Sequence, residues 1–193
     1  MPKIIYIKEG VTKGRVLIGI DNDGDSAAYS VTKSTYIAIG SPVRYTVIDE
    51  RDFYSIAAED ERYRAMKKAV SSIAVSDKSA HTLKSKLLMA GFSHEATDEA
   101  IGECIARGYI DEERQLIRLV EREANGSLRG RYYIKRKLAA KGYRLSDIDK
   151  VINNLVGSQT VDFKKNFESL AEKKGASDDE SRRALAYKFG YKI

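Results

Sequence analysis

Two periodicities divide the chain. Over residues 1–58 apolar side chains alternate in short β-branched runs, with Ile4 and Tyr6 in one and Val16, Ile18 and Ile20 in another. Asp21-Asn22-Asp23-Gly24-Asp25 then interrupts with residue types that tolerate a tight turn. Ala28 to Ile39 is rich in Tyr, Val, Thr and Ile, Gly40-Ser41-Pro42 closes it, and a further strand is expected over Val43 to Ile48. The pattern predicts a small antiparallel sheet or hairpin cap. From about Glu59 the period becomes helical, no proline follows, and helix formers dominate. Helices are expected over 59–75, 79–89, 94–106, 111–124, 130–140, 146–155, 160–174 and 178–188.

The punctuation agrees with that reading. Gly91, Gly108, Gly142 and Gly175 fall where helices should stop, because glycine adopts the left-handed terminal conformation cheaply. Ser93 and Ser146 are candidate caps for the helices that follow, and Ser177 with Glu180 has capping-box spacing.

A repeat runs through the helical part. Leu83-Lys84-Ser85-Lys86-Leu87 with Gly91-Phe92 returns 51 residues later as Ile134-Lys135-Arg136-Lys137-Leu138 with Gly142-Tyr143. The register continues, with Asp98 and Ile101 matching Asp149 and Ile152, and a weaker third copy ends at Gly190-Tyr191 behind Arg182 and Arg183. Leu83 and Leu87, like Ile134 and Leu138, lie at i and i+4 and share one buried face. The aromatic after each glycine should pack back on the helix just ended. Units of three helices suit a stacked helical array. The expected organisation is a β-rich region over 1–58 and repeats over 59–108, 109–157 and 158–193, the last incomplete.

Composition narrows the classes. Of 193 residues, 42% are hydrophobic and 32% charged, which excludes a disordered tail. No apolar run reaches the roughly 18 residues of a membrane span, and the start shows no secretory leader. Cys104 is the only cysteine, so disulfides are excluded and a reducing, cytoplasmic compartment is expected. In Ile101-Gly102-Glu103-Cys104-Ile105 it reads as a small packed residue.

Little points to catalysis or a metal. The Asp21–Asp25 run resembles the start of a calcium loop, but Ser26 and Thr32 stand where that loop needs glycine and glutamate. His81 and His94 lack ligand spacing, and Gly126-Ser127-Leu128-Arg129-Gly130 lacks the phosphate-loop pattern. Asp111-Glu112-Glu113 suits the first turn of a helix. No enzyme activity, cofactor or small-molecule substrate is expected.

Charge has an address. The net charge is +6, yet residues 1–58 and 59–108 are each neutral, while 109–157 carry 11 basic against 7 acidic groups. Residues 128–146 hold Arg129, Arg131, Lys135, Arg136, Lys137, Lys141 and Arg144 and no acid. With Ile134 at zero on a helical wheel, Leu138 lies near 40°, whereas Lys135, Tyr132 and Arg136 lie near 100°, 160° and 200°. An exposed tyrosine among cations suits a surface that grips phosphate or an acidic protein. The competing reading is a solvated face that keeps the protein soluble, and charge alone does not separate nucleic acid from an acidic groove.

Gly108-Tyr109-Ile110-Asp111-Glu112, followed by Arg122, Gly130, Ile134, Leu138 and Gly142-Tyr143, resembles the bacterial RecX family, regulators of the RecA recombinase. Ala69, Ser79, Leu83, Lys86-Leu87 and Gly91-Phe92-Ser93 fit that family's first repeat. The resemblance covers about residues 59–193, and the strand-rich start is similar to the N-terminal extension of longer members. It implies a mainly α fold of three tandem three-helix repeats in an elongated, curved array. It also implies binding in the groove of the RecA–DNA filament, which restrains growth or promotes disassembly and so affects recombination, repair and the SOS response. Single- or double-stranded DNA is a further implied partner. Arg129, Arg131, Lys135, Arg136, Lys137 and Lys141 would then face the filament, with Lys84 and Lys86 in the equivalent places of repeat one. The third repeat departs from the family, with Ala186 in place of Leu87 and Leu138 and an end at Ile193 before a last helix.

Overall fold

A computed structural model describes residues 1–192, and Ile193, the last residue of the third repeat, lies outside the described residues. Nine α-helices and three strands are present among them. The described residues group into two compact units, one of residues 1–71 with 86–104 and one of residues 72–85 with 105–192.

In the first unit β1 (Lys3–Glu9), β2 (Arg15–Asn22) and β3 (Asp25–Thr32) form an antiparallel meander in the order β1-β2-β3. Ile4 pairs with Ile20 and Val16 with Val31. Since paired residues share a face, these side chains meet Ile18, Ile48 and Ile56 in one core. The acidic run is the β2–β3 turn, with Asp23 and Gly24 both at positive φ, as a two-residue hairpin requires.

Two strand expectations give way to other structure. The Ala28–Ile39 run is strand only to Thr32, whose hydroxyl accepts from the Thr35 N–H at 3.2 Å and starts α1 (Lys33–Ala38). Residues 43–48 form only an isolated bridge, Lys3 with Val47, because Ser41 and Tyr45 at positive φ turn the backbone away from an extended course.

The first long helix, α2 (Glu50–Val75), begins nine residues before the predicted start at 59. Asp49 supplies the reason, its carboxylate accepting from the Asp52 N–H at 2.7 Å. Further along α2, the Asp60 and Glu59 carboxylates accept from the Ser30 and Thr32 N–H groups at 2.9 and 2.6 Å. Part of the outer edge of β3 is therefore closed by acids rather than by another strand. Arg15 pairs with Glu59 at 3.3 Å and lies 3.9 Å over the Tyr63 ring.

Helices α3 (Ala80–Met89) and α4 (His94–Ala106) follow, the latter capped by Ser93 as the sequence predicts. The second unit continues with α5 (Glu112–Glu121), a π-helical turn at Arg122–Gly126, α6 (Arg131–Ala140), α7 (Leu145–Gly157), α8 (Phe163–Lys174) and α9 (Asp179–Phe189). Its core joins Leu116, Leu119 and Val120 of α5 with Ile134 and Leu138 of α6 and Ile148, Val151, Ile152 and Leu155 of α7. Two caps differ from expectation. Ser146 does not cap α7, whose N-cap position is Arg144 with no side-chain cap, and Asp178 rather than Ser177 caps α9.

The glycine-aromatic signature has one backbone geometry in all three copies. Gly91, Gly142 and Gly190 sit at φ 87, 82 and 78. The next residue's N–H returns to the same carbonyl each time: Phe92 to Leu87 and Tyr143 to Leu138, both at 3.3 Å, and Tyr191 to Ala186 at 2.9 Å. Tyr143 is buried on Leu138, and its hydroxyl donates to Gln115 at 2.8 Å. Burial is the main reason its phenol is pushed from 10.0 to about 12.

Candidate binding surface on helix α6

Helix α6 carries most of the predicted cations, and its neighbours sort them into two sets. Ile134 and Leu138 are buried, which fixes the inner face as the wheel predicts. Beside that face, Arg131 donates to Asp149 at 3.0 Å and to Asn153 at 2.8 Å, and Lys135 donates to the other Asp149 oxygen at 2.6 Å. These hydrogen bonds hold the Asp149 carboxyl below its ordinary range. On the opposite flank Lys137 reaches Glu123 of the π-helical turn at 2.8 Å, where the carboxylate is only 5% exposed. Before the helix, Arg129 lies between two rings, 4.4 Å from Tyr133 and 4.5 Å from Phe189.

The other predicted residues have no such ties. Arg136, Lys141 and Arg144 are exposed, and no described residue pairs with their side chains. Tyr132 is 57% exposed. In repeat one, Lys84 is half-buried with an interaction of its own, whereas Lys86 is exposed and belongs to the other unit.

The wheel position of Lys135 therefore needs correction. It is half-buried and ion-paired, because α7 lays an acid along that side of α6. An acid-free window in sequence is not acid-free in space. What remains open to a polyanion is Arg136, Lys141, Arg144 and the Tyr132 ring, a set suited to phosphate or carboxylate contact without chemistry.

The start of α6 is anchored to the end of α9. Gly130 donates to the Phe189 carbonyl at 2.8 Å and Tyr132 to the Gly190 carbonyl at 3.0 Å. A Cβ at Gly130 would fall on the Gly190 carbonyl, so only glycine permits this approach. Beside the junction a groove of about 620 Å³ opens between α8 and α9, floored by Phe163, Phe167 and Tyr191 and bordered by Lys164, Arg182, Arg183 and Lys192 together with the acids Glu168 and Asp179. Sequence reasoning missed it, although Arg182 and Arg183 stood in the third copy of the repeat.

Among the described residues no group of three or more His, Cys, Asp or Glu could hold a metal ion. None of the described helices is long and apolar enough to cross a membrane.

No family model matches the sequence. No curated protein matches it either. Solved structures do. A crystal structure of regulatory protein RecX superposes with a TM-score of 0.69 at 20% identity, over 98% of this chain and 93% of that one. A RecX crystal structure from Lactobacillus salivarius gives 0.54 at 16% identity, over 65% of this chain and 82% of that one. The chain thus has the fold of these RecX structures, a mainly α architecture preceded by a small antiparallel sheet.

Proposed function

We propose that the chain regulates the RecA recombinase by binding the RecA–DNA filament and inhibiting or remodelling it, and that it does so in the cytoplasm without catalysis. The observation that carries this reading is the fold shared with regulatory protein RecX over nearly the whole chain. The open cations Arg136, Lys141 and Arg144, with Tyr132, form the contact surface toward the filament. Arg129, Arg131, Lys135 and Lys137 hold α6 in place and add positive potential, and Lys84 and Lys86 are the corresponding cations of repeat one. Recombination, repair and the SOS response follow as the processes affected. The test is RecA ATP turnover on single-stranded DNA: inhibition at protein concentrations below that of RecA is expected, and no effect at equimolar protein overturns the proposal.

A second reading is favoured by the same unpaired cations: a free-standing DNA-binding protein that needs no RecA. It requires direct DNA affinity that falls steeply with salt. Absence of binding up to micromolar protein in low salt removes it.

A further inference from the structure

The groove between α8 and α9 is the third-repeat counterpart of a seat that is filled in the second repeat. In repeat two, α7 lies against α5 and α6. Ile148, Val151, Ile152 and Leu155 enter the core, Asp149 takes Arg131 and Lys135 of α6, and Lys150 faces Glu113 of α5 at 3.9 Å. The capping aspartates of α5 and α8 fix the correspondence of those helices. Asp111 accepts from Arg114 N–H and Asp162 from Lys165 N–H, 51 residues apart. Glu112, Glu113 and Leu116, which face Asp147, Lys150 and Val151 of α7 across a small cleft, thus correspond to Phe163, Lys164 and Phe167. The glycine-aromatic turns fix the other side, where Lys135 corresponds to Arg183, 48 residues on.

Every one of these third-repeat positions lines the groove. The floor has changed in a consistent direction: glutamate has become phenylalanine at 163, and leucine has become phenylalanine at 167. Arg183 stands where Lys135 holds Asp149, but it is exposed and no described residue pairs with it. Lys164 stands where Glu113 meets Lys150, with its sign reversed; it is exposed, and the acid whose charge it meets is Glu168, one turn along its own helix. Arg182 is held by Glu168 at 2.6 and 2.8 Å and lies 5.1 Å over the Phe167 ring, so it covers part of the floor and leaves Phe163 and Tyr191 as its open part.

We propose that this groove is the docking seat for an amphipathic helix of a partner protein that carries acids on both flanks of its apolar face. One acid meets Arg183 as Asp149 meets Lys135. A second, at the next position, meets Lys164, where α7 itself has a lysine. The apolar face lies on Phe163 and Tyr191. The border, cationic on balance, and the apolar floor select such a helix over a basic or wholly polar one. This inference rests on the repeat geometry and not on the function proposed above.

A labelled peptide of residues 144–158 carrying Lys150→Glu supplies the probe, and anisotropy with the full-length protein supplies the readout. Saturable binding is expected, tighter than that of the unaltered peptide. Asp149→Asn in the peptide should weaken it about fivefold, and Arg183→Glu in the protein about tenfold. The decisive variant is Lys164→Glu, an exposed site that leaves the fold intact. It should reverse the preference, so that the peptide with native Lys150 binds better than the Lys150→Glu form. No saturation, or binding without that reversal, overturns the proposal. So does displacement of the peptide by an oligothymidylate, which assigns the groove to nucleic acid. Self-association of the protein that excludes the peptide assigns it to a second copy and also overturns the proposal.

Discussion

The two flanks of α6 hold similar side chains in opposite circumstances. Arg131 and Lys135 are tied to Asp149, and Lys137 to Glu123, while Arg136 at the same helix and Lys141 and Arg144 just beyond it reach only solvent. The difference lies in what the neighbouring elements present, not in the residues. A cation paired to a half-buried acid orients a helix, whereas an unpaired one is available to a partner. Replacing the first kind should change stability and the second kind should change binding.

The largest effect on stability is expected at Lys137. Its removal as Lys137→Met leaves the buried Glu123 only the longer 3.6 Å contact to Arg122, a loss of about 1–3 kcal/mol in chemical denaturation. A smaller loss, about 1 kcal/mol, is expected from Arg131→Ala with Lys135→Ala, since Asp149 is 34% exposed and solvent screens the pair. Smallest of all is the combination Arg136→Ala, Lys141→Ala and Arg144→Ala, which should stay within about 0.5 kcal/mol of the parent. If the third set destabilises as much as the second, the division of α6 into two flanks fails.

Titration sharpens the same contrast at both ends of the pH scale. The Asp149 carboxyl is held low in the folded state, so its contribution is present above the ordinary carboxylate range and is lost as pH falls through it. The Arg131 and Lys135 double variant should lose less stability in acid than the parent. Tyr143 and Tyr191 are both pushed from 10.0 to about 12, chiefly by burial. Their contribution is complete below 10 and declines as pH rises toward 12. The melting temperature should fall over that interval while tyrosinate absorbance lags behind that of the unfolded chain.

Local features of the sequence carried over well, and contacts between distant elements did not. The helix stops at Gly91, Gly142 and Gly175 and the buried pair Ile134–Leu138 depend on neighbours within one or two turns, and each is found where the pattern puts it. Residues 43–48 alternate like a strand, but they sit at a sheet edge where two residues at positive φ decide the path. The acids that pair with part of the cation cluster were hidden for a related reason. Asp149 lies 14 residues from Lys135 and Glu123 lies 14 from Lys137, outside any window in which a helix face is judged. The match of Asp149 to Asp98 in the repeat was visible, and only the packing of α7 on α6 gave it a charge partner. The groove at α8 and α9 was hidden too, because Phe163 and Phe167 look like ordinary core residues until the seat they line is compared with that of α7.

The central claim is most directly tested by titrating RecA ATP turnover on single-stranded DNA with three proteins: the parent, the Arg131 and Lys135 double variant, and the Arg136, Lys141 and Arg144 triple variant. The parent should inhibit below equimolar ratio, and the double variant should inhibit nearly as well while it stays folded. The triple variant should need about tenfold more protein, in line with the loss of several phosphate or carboxylate contacts. Full inhibition by the triple variant would contradict the assignment of the open flank of α6, and no inhibition by the parent would contradict the proposed function itself.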